Sequence, residues 1–294
     1  MPVANFDHSR AELLAVVERS PTAAGAHDRA GWVGLFTVDG TVEDPVGSRP
    51  HRGAAALSRF YDTFIGPRDI VFHRETDLVT GATVIRDLDL EVTMASSLVM
   101  RIPTYLRYDV VSSGDQLKIA RLQAHWELPA MVLQFARGGR AVLPAGISLT
   151  RALLGNQGVS GTVGFLSGFR GVHGRGKRNV VRLLDAACTG NELSARRLLS
   201  ASALVTLGDD TRLGTSDLVS RLAGASWRKV IASGGSVAAT IERGSQRSVL
   251  IAELSRPTEI SRMGSSPTIE IGPPGADRGR GRETVGTPCL STNN

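Results

Sequence analysis

Hydrophobic and polar positions change period along this chain, and each change marks a new kind of element. Over the first 65 residues the apolar positions recur at helical spacing. Residues 9–24 (SRAELLAVVERSPTAA) predict an amphipathic helix interrupted near Pro21. Residues 28–36 predict a second helix, with Trp32, Leu35 and Phe36 on one face. A short strand at 40–44 leads to a third helix at 53–65, where Ala56, Leu57, Phe60, Tyr61 and Phe64 form one apolar face. The period then shortens to two. Residues 70–79, 82–94, 98–111 and 117–127 predict four strands, the last two joined by a turn at Ser112-Ser113-Gly114-Asp115. Within 82–94, Val84, Leu88, Leu90 and Val92 face one way, while Arg86, Asp87 and Asp89 mark a polar side. Helices first and an antiparallel sheet afterwards is an α+β order. A curved sheet wrapped on three helices makes a cone whose interior is a ready apolar pocket.

The pattern breaks at 131–177, which is rich in glycine yet apolar, and resumes at Arg178. The connector predicts short helices at about 129–136 and 145–155. Its G-x-x-G-x-x-G run around 158–164 lacks the strand, helix and acidic partner that frame a dinucleotide fingerprint. From Arg178 come two helices broken at Thr189-Gly190-Asn191, a strand (ALVTLGDD), a helix (TSDLVSRLAG) and about four strands over 227–271. That repeats the order of residues 9–127 in shortened form, which predicts two tandem cones. In the second, Asp209 and Asp210 stand where Glu43 and Asp44 stand in the first, and read as a turn and a helix cap. Residues 272–294 lack apolar periodicity and are expected to be disordered. The expected layout is a pocket-bearing cone at 1–130, a connector at 131–177, a degenerate second cone at 178–271 and a tail.

Composition narrows the chemistry. Two cysteines, Cys188 and Cys289, supply neither a disulfide framework nor metal-ligand spacing, so no metal and no cofactor are expected. The start, MPVANFDHSR, lacks the charged and apolar segments of a secretory signal, which makes the cytoplasm the expected compartment. The net charge of +6 is unevenly spread. Residues 1–130 hold 13 Lys+Arg against 17 Asp+Glu, and residues 131–294 hold 21 against 11. The basic residues of the second half alternate with Leu, Gly and Ser, and few aromatics lie near them. A solvated basic surface fits better than a nucleic-acid site. Contact with a membrane surface is compatible with the connector, although its apolar runs are too interrupted for a strong amphipathic helix.

The richest stretch is Thr41–Ile65, TVEDPVGSRPHRGAAALSRFYDTFI. Proline disfavours the α region for the residue before it, so Asp44 should sit in extended backbone at a strand-to-turn corner. From there its carboxylate can enter an apolar cavity and become a stronger proton acceptor. Asp44-Pro45-Val46-Gly47 also has the composition of a plain surface turn. The run T-V-E-D-P-V-G, then P-H-x-G and F-Y, resembles the ketosteroid isomerases, within the broad superfamily of nuclear-transport-factor-like and SnoaL-like cone folds. The DRAGWVGLF helix and the Gln123-Ala124-His125-Trp126 strand fit the same pattern.

That resemblance covers roughly residues 8–130. It implies that Asp44 is the proton-shuttling base, that Tyr61 supports the hydrogen-bond network and that Trp126 lines the pocket. Phe60, Trp32 and Tyr108 are further candidate ligand contacts. The family stabilises its dienolate oxygen with a tyrosine and a protonated aspartate. Those places fall on Ser20, not a tyrosine, and on Leu106 or Arg107, neither of which is a carboxylic acid. Tyr105, Tyr108, His125 and His73 are the available substitutes. His125 adjoins Trp126 on one strand, so the two must point to opposite faces. The expected function is binding of a small hydrophobic molecule, steroid-, isoprenoid- or polyketide-like, with weak isomerase-type proton transfer at Asp44. The alternatives are a non-catalytic binding or dimerisation module, since such cones pair through their open sheet face as homodimers, and a SnoaL-like polyketide cyclase or dehydratase.

Overall fold

Two sheets with the same strand order organise the chain. The computed structural model describes residues 8–94, 98–137, 146–147, 150–151, 153–169, 171–208, 211–256, 259–265 and 269–270. The first unit runs α1 (Arg10–Gly25), α2 (Arg29–Gly34), β1 (Phe36–Glu43), β2 (His51–Arg52) and α3 (Gly53–Phe60). A π-helical turn, Tyr61–Ile65, ends α3, and β3 (Asp69–Thr80), β4 (Thr83–Met94), β5 (Leu98–Ser113) and β6 (Gln116–His125) follow. The sheet order is β2-β1-β6-β5-β4-β3. Only the β1–β6 pairing within it is parallel.

Local chemistry sets the helix ends. Ser9 and Glu12 form a reciprocal capping box at the start of α1, and the Asp28 side chain accepts from the Gly31 N–H to start α2. The expected interruption at Pro21 does not occur. Pro21 is buried inside a continuous α1, and Thr22 Oγ1 bonds back to the Glu18 carbonyl at 2.8 Å. The missing proline N–H costs one backbone bond, and packing of α1 on the sheet outweighs it. Leu13, Val17, Trp32, Leu57, Val84 and Leu88 form part of a continuous core between the helices and the sheet.

The second unit repeats the plan. Its elements are α6 (His173–Cys188), α7 (Glu192–Leu198), β7 (Leu199–Leu207), β8 (Thr211–Arg212), α8 (Thr215–Leu222), β9 (Ser226–Ser233), β10 (Ser236–Arg243), β11 (Gln246–Arg256), β12 (Glu259–Ser265) and β13 (Ile269–Glu270). The strand order β8-β7-β12-β11-β10-β9 copies the first sheet position for position, and β7 pairs with β12 in parallel. The architecture is α+β, two tandem cones. Between them lie α4 (Leu128–Ala136) and α5 (Gly158–Leu166). Residues 145, 148, 149 and 152 of the expected 145–155 helix, Asp209, Asp210 and the 272–294 tail lie outside the described residues. None of the helices among the described residues is long and apolar enough to cross a membrane.

The outer faces of the two sheets pack together through Leu78, Ile85, Tyr105, Ile231, Ala238 and Val249. Here the polar side expected of β4 needs correction, because Arg86 and Asp87 are both buried. Arg86 points into the first cone and bonds Asp77 at 2.7 Å and Glu18 at 2.7 Å. Asp87 points the other way and accepts from Lys229 Nζ at 2.6 Å and Thr240 Oγ1 at 2.9 Å. The Tyr105 hydroxyl bonds the Lys229 carbonyl at 2.9 Å beside them. Lys229 has φ 49 next to a register shift between β9 and β10, an irregularity that re-aims its side chain across the interface.

Candidate ligand pocket

Asp44 is the first residue past β1, at a corner fixed from several sides. The Val46 N–H donates to the Ala124 carbonyl at 2.8 Å. The Glu43 carboxylate accepts from the Gly47 N–H at 2.8 Å and from Gln123 Nε2 at 2.9 Å. Of the two adjacent acids, Glu43 therefore holds the backbone, and Asp44 turns into the cone. The Asp44–Pro45 peptide is cis. From the second cone, Ser233 Oγ donates to the Val46 carbonyl at 3.0 Å. Gly47 and Gly234 touch backbone to backbone, both at positive φ: a Cβ on Gly47 would lie 2.4 Å from the Gly234 Cα. The second cone thus buttresses the corner that carries Asp44.

The cavity at this corner has a volume of about 120 Å³. Trp126 forms its floor and donates from Nε1 to Asp44 Oδ1 at 2.5 Å. Phe60 comes from α3 and Phe64 from the π-helical turn that ends it, and Leu90, Val92 and Met100 come from the sheet. Burial in this apolar setting pushes the Asp44 carboxyl up to about 6, and the Trp126 hydrogen bond pulls partly against it. Two elements outside the cone close the mouth: Met131 of α4 and Phe165 of α5. The Phe165 ring lies 5.2 Å from that of Phe64. Gly164 O accepts from the Arg49 N–H at 3.1 Å, and Gln157 Nε2 donates to Thr63 Oγ1 at 3.1 Å, so this segment is tied to the first cone. A second cavity of about 310 Å³ shares Ile102 and Met131 with the first.

The structure brings Asp44, Phe60 and Trp126 onto one wall. Trp32, Tyr61 and Tyr108 are packed in the core behind it. The Trp32 ring stacks on Phe60 at 5.9 Å and meets Tyr61 at 5.7 Å, which fills the space between the helices. The Tyr61 hydroxyl is buried without a hydrogen-bond partner among the described residues. Tyr108 bonds Ser20 instead of facing the cavity. Leu106 lies in the core and Arg107 on the outer face of β5, so the oxyanion places are unfilled. Tyr105 belongs to the interface between the cones, and His73 pairs with Glu91 on the outside of the sheet.

His125 faces away from Trp126, as strand alternation requires, and meets Ser236 Oγ at 3.2 Å. Ser236 gives its own proton to the Ser233 carbonyl, so His125 Nδ1 must be the donor to Ser236. Its Nε2 is buried with no partner among the described residues, and burial lowers the imidazole to about 4.

Sequence reasoning missed Arg68, Met131 and Phe165. Arg68 stands two residues before Ile70, which also lines the cavity, so alternation into β3 was a usable signal for it. The two closing residues come from segments whose docking no local pattern reveals.

This is an α+β cone with one carboxylate set in an otherwise largely apolar cavity. Residues 17–130 match the SnoaL-like domain, and through this domain the chain belongs to the SnoaL-like family. The chain is similar to a Δ5-3-ketosteroid isomerase from Mycobacterium sp., at 30% identity over 41% of this chain and 96% of that one, with a TM-score of 0.38. It is also similar to a Mycobacterium tuberculosis protein crystallised with estradiol-17β-hemisuccinate (23% identity, 40% and 95% covered, TM-score 0.37). A third likeness is to an epoxide hydrolase of M. tuberculosis (17% identity, 46% and 96% covered, TM-score 0.39).

Proposed function

We propose that the first cone binds a small hydrophobic molecule, steroid-, isoprenoid- or polyketide-like, and that Asp44 acts there as a proton acceptor of the ketosteroid isomerase type. The observation that carries this reading is the Asp44 carboxyl in an apolar cavity, held at Oδ1 by Trp126 and raised to about 6. Oδ2 is left to take a proton from the carbon beside a ligand carbonyl and return it to a second carbon. A base with a pKa near the working pH combines availability with basicity. A cavity of about 120 Å³ admits roughly one ring, since a benzene site is of the order of 150 Å³. A polycyclic ligand needs the flexible Met131 side chain to swing aside and join the neighbouring cavity.

Binding without turnover is the second reading, and the placement of Ser20, Leu106 and Arg107 favours it. Losing an oxyanion donor costs about a hundred- to a thousandfold in rate. The pairing of cones through their sheet faces is met here inside one chain, because the second cone covers the outer face of the first.

Turnover of a Δ5-ketosteroid by wild type and Asp44→Asn tests the reading. The wild-type rate should rise with pH through about 6 as the carboxylate forms. Asp44→Asn should lower it by about a hundred- to ten-thousandfold. Equal rates in the two proteins would remove Asp44 from the chemistry. A thermal-shift response to sterols with no turnover would leave the binding reading standing alone.

A further inference from the structure

The Asp44 cavity holds a second charged group, and it has no counter-charge among the described residues. Arg68 follows the Gly66-Pro67 turn after the π-helical turn of α3 and lines the cavity wall with Ile70 and Met94. Its Nη1 donates to the Thr63 carbonyl at 2.6 Å, and its Nε contacts Met94 Sδ at 2.9 Å. A guanidinium carries five N–H donors. No carboxylate among the described residues pairs with Arg68, and none of them accepts from Nη2. Every other arginine buried to a comparable degree in the first cone is matched: Arg86 by Asp77 and Glu18, Arg107 by Asp109. Asp44 shares the cavity with Arg68, yet no ion pair joins them.

A partly buried cation without an anion is costly, and burial lowers Arg68 to about 10. One bond to a backbone carbonyl and one to a thioether do not need a permanent charge, because an amide side chain could make the first. The charge itself is therefore unexplained by the fold.

We propose that Arg68 is the anion-binding residue of this cavity, its unused N–H groups receiving the carboxylate or enolate oxygen of an otherwise apolar ligand. The inference rests on the reading of the cavity as a ligand site and names the class of ligand: an apolar body with one anionic oxygen. In the proton-transfer reading Arg68 also supplies the oxyanion donor inside the cavity that Ser20, Leu106 and the outward-facing Arg107 do not. The enolate formed when Asp44 Oδ2 takes the carbon-bound proton would place its oxygen at Arg68, and return of the proton to the second carbon would discharge it.

Calorimetric titration of the full chain with naphthylacetate and with naphthylethanol is the test. The two probes share a ring system and differ in charge. Wild type should bind the carboxylate about ten- to a hundredfold more tightly, the range for hydrogen bonds to a charged group. Arg68→Gln keeps a donor for the Thr63 carbonyl and removes the charge. It should abolish the preference for the carboxylate and leave the Kd for naphthylethanol within about twofold. Arg68→Lys should keep part of the preference. If naphthylethanol binds and the carboxylate has no advantage, or if Arg68→Gln retains the advantage, the role of Arg68 is wrong and the cavity reading stands. If neither probe binds wild type, the cavity reading falls and takes this inference with it.

Discussion

The two cones share a strand order and differ in depth. In the first, β4 is 12 residues long and β5 is 16, against 8 for β10 and 11 for β11 at the matching places of the second. At about 3.3 Å per residue, the shorter strands remove more than 10 Å of sheet. Side-chain size follows. Met94, Met100, Phe60 and Phe64 wall the first cavity, whereas the core of the second unit includes Ala186, Ala187 and Ala195 from its helices and Ala239 and Ala252 from its strands. Small residues on both layers let helix and sheet approach closely. One duplicated plan thus yields a cone that keeps a cavity and a cone whose sheet braces it. The brace is specific: it covers Asp87 and Tyr105 and presses Gly234 against Gly47 beside Asp44.

Breaking the brace should have the largest effect. Lys229→Met leaves buried Asp87 with its Thr240 hydrogen bond and the more distant Arg228 guanidinium at 3.8 Å, and removing one partner of a buried ion pair costs about 3–5 kcal/mol. Urea unfolding should show the loss, and an unchanged midpoint would mean that the interface does not hold the cones together.

Next in size come two opposed pH effects. Asp44 is raised in the folded protein, from 3.8 to about 6, so it destabilises the fold progressively as pH rises through that window. His125 is lowered from 6.5 to about 4, so it destabilises the fold as pH falls through nearly the same window. Each shift is worth of the order of 3 kcal/mol at most. In wild type the two slopes oppose each other. Asp44→Asn should raise Tm at pH 7, with the gain fading toward pH 4, and should expose the acid-side loss due to His125. His125→Gln should flatten that loss. Parallel Tm-against-pH curves for the three proteins would contradict both assignments.

Gly234→Ala should cost less, about 1–3 kcal/mol, from overpacking and from an unfavourable φ of +54. Its sharper readout is ligand affinity, which should fall because the Asp44 corner is displaced. Smallest of all is the exposed edge of the interface. Arg228→Ala removes half-exposed contacts of 2.6 Å to Glu75 and 2.8 Å to Glu242 and should shift stability by about 1 kcal/mol.

The sequence carried the element order because periods of 3.6 and 2 are local properties. The long antiparallel strands β3–β6 and β9–β12 fall where alternation places them, whereas β1 and β7 each begin about four residues earlier than expected and the two-residue β2 and β8 carry no alternation to find. The Asp-Pro corner was legible because proline constrains its neighbour and the acid pair stands alone. Pro21 does not break α1 because propensity is local, whereas the packing that overrides it is tertiary. Arg86 and Asp87 misled for a related reason. Alternation assigns a face but does not say what lies beyond it, and a second sheet lay beyond β4. Phe165 was hidden because its docking depends on contacts with Phe64 and Arg49, more than a hundred residues earlier in sequence.

The parallel pairing that closes each cone also fixes an order of events in time. Val42 can find Leu122, and Val205 can find Met263, only after every intervening strand has been made. Pairings so distant in sequence fold slowly, since the chain pays loop entropy before the contact rewards it. During synthesis the first cone cannot close until β6 has emerged, and its outer face then waits for β9 and β10. At roughly ten residues per second that interval is about 10 s. For that time the face bearing Asp87, Ile85 and Tyr105 is bare, a ready surface for a neighbouring nascent chain to occupy in place of the chain's own second cone.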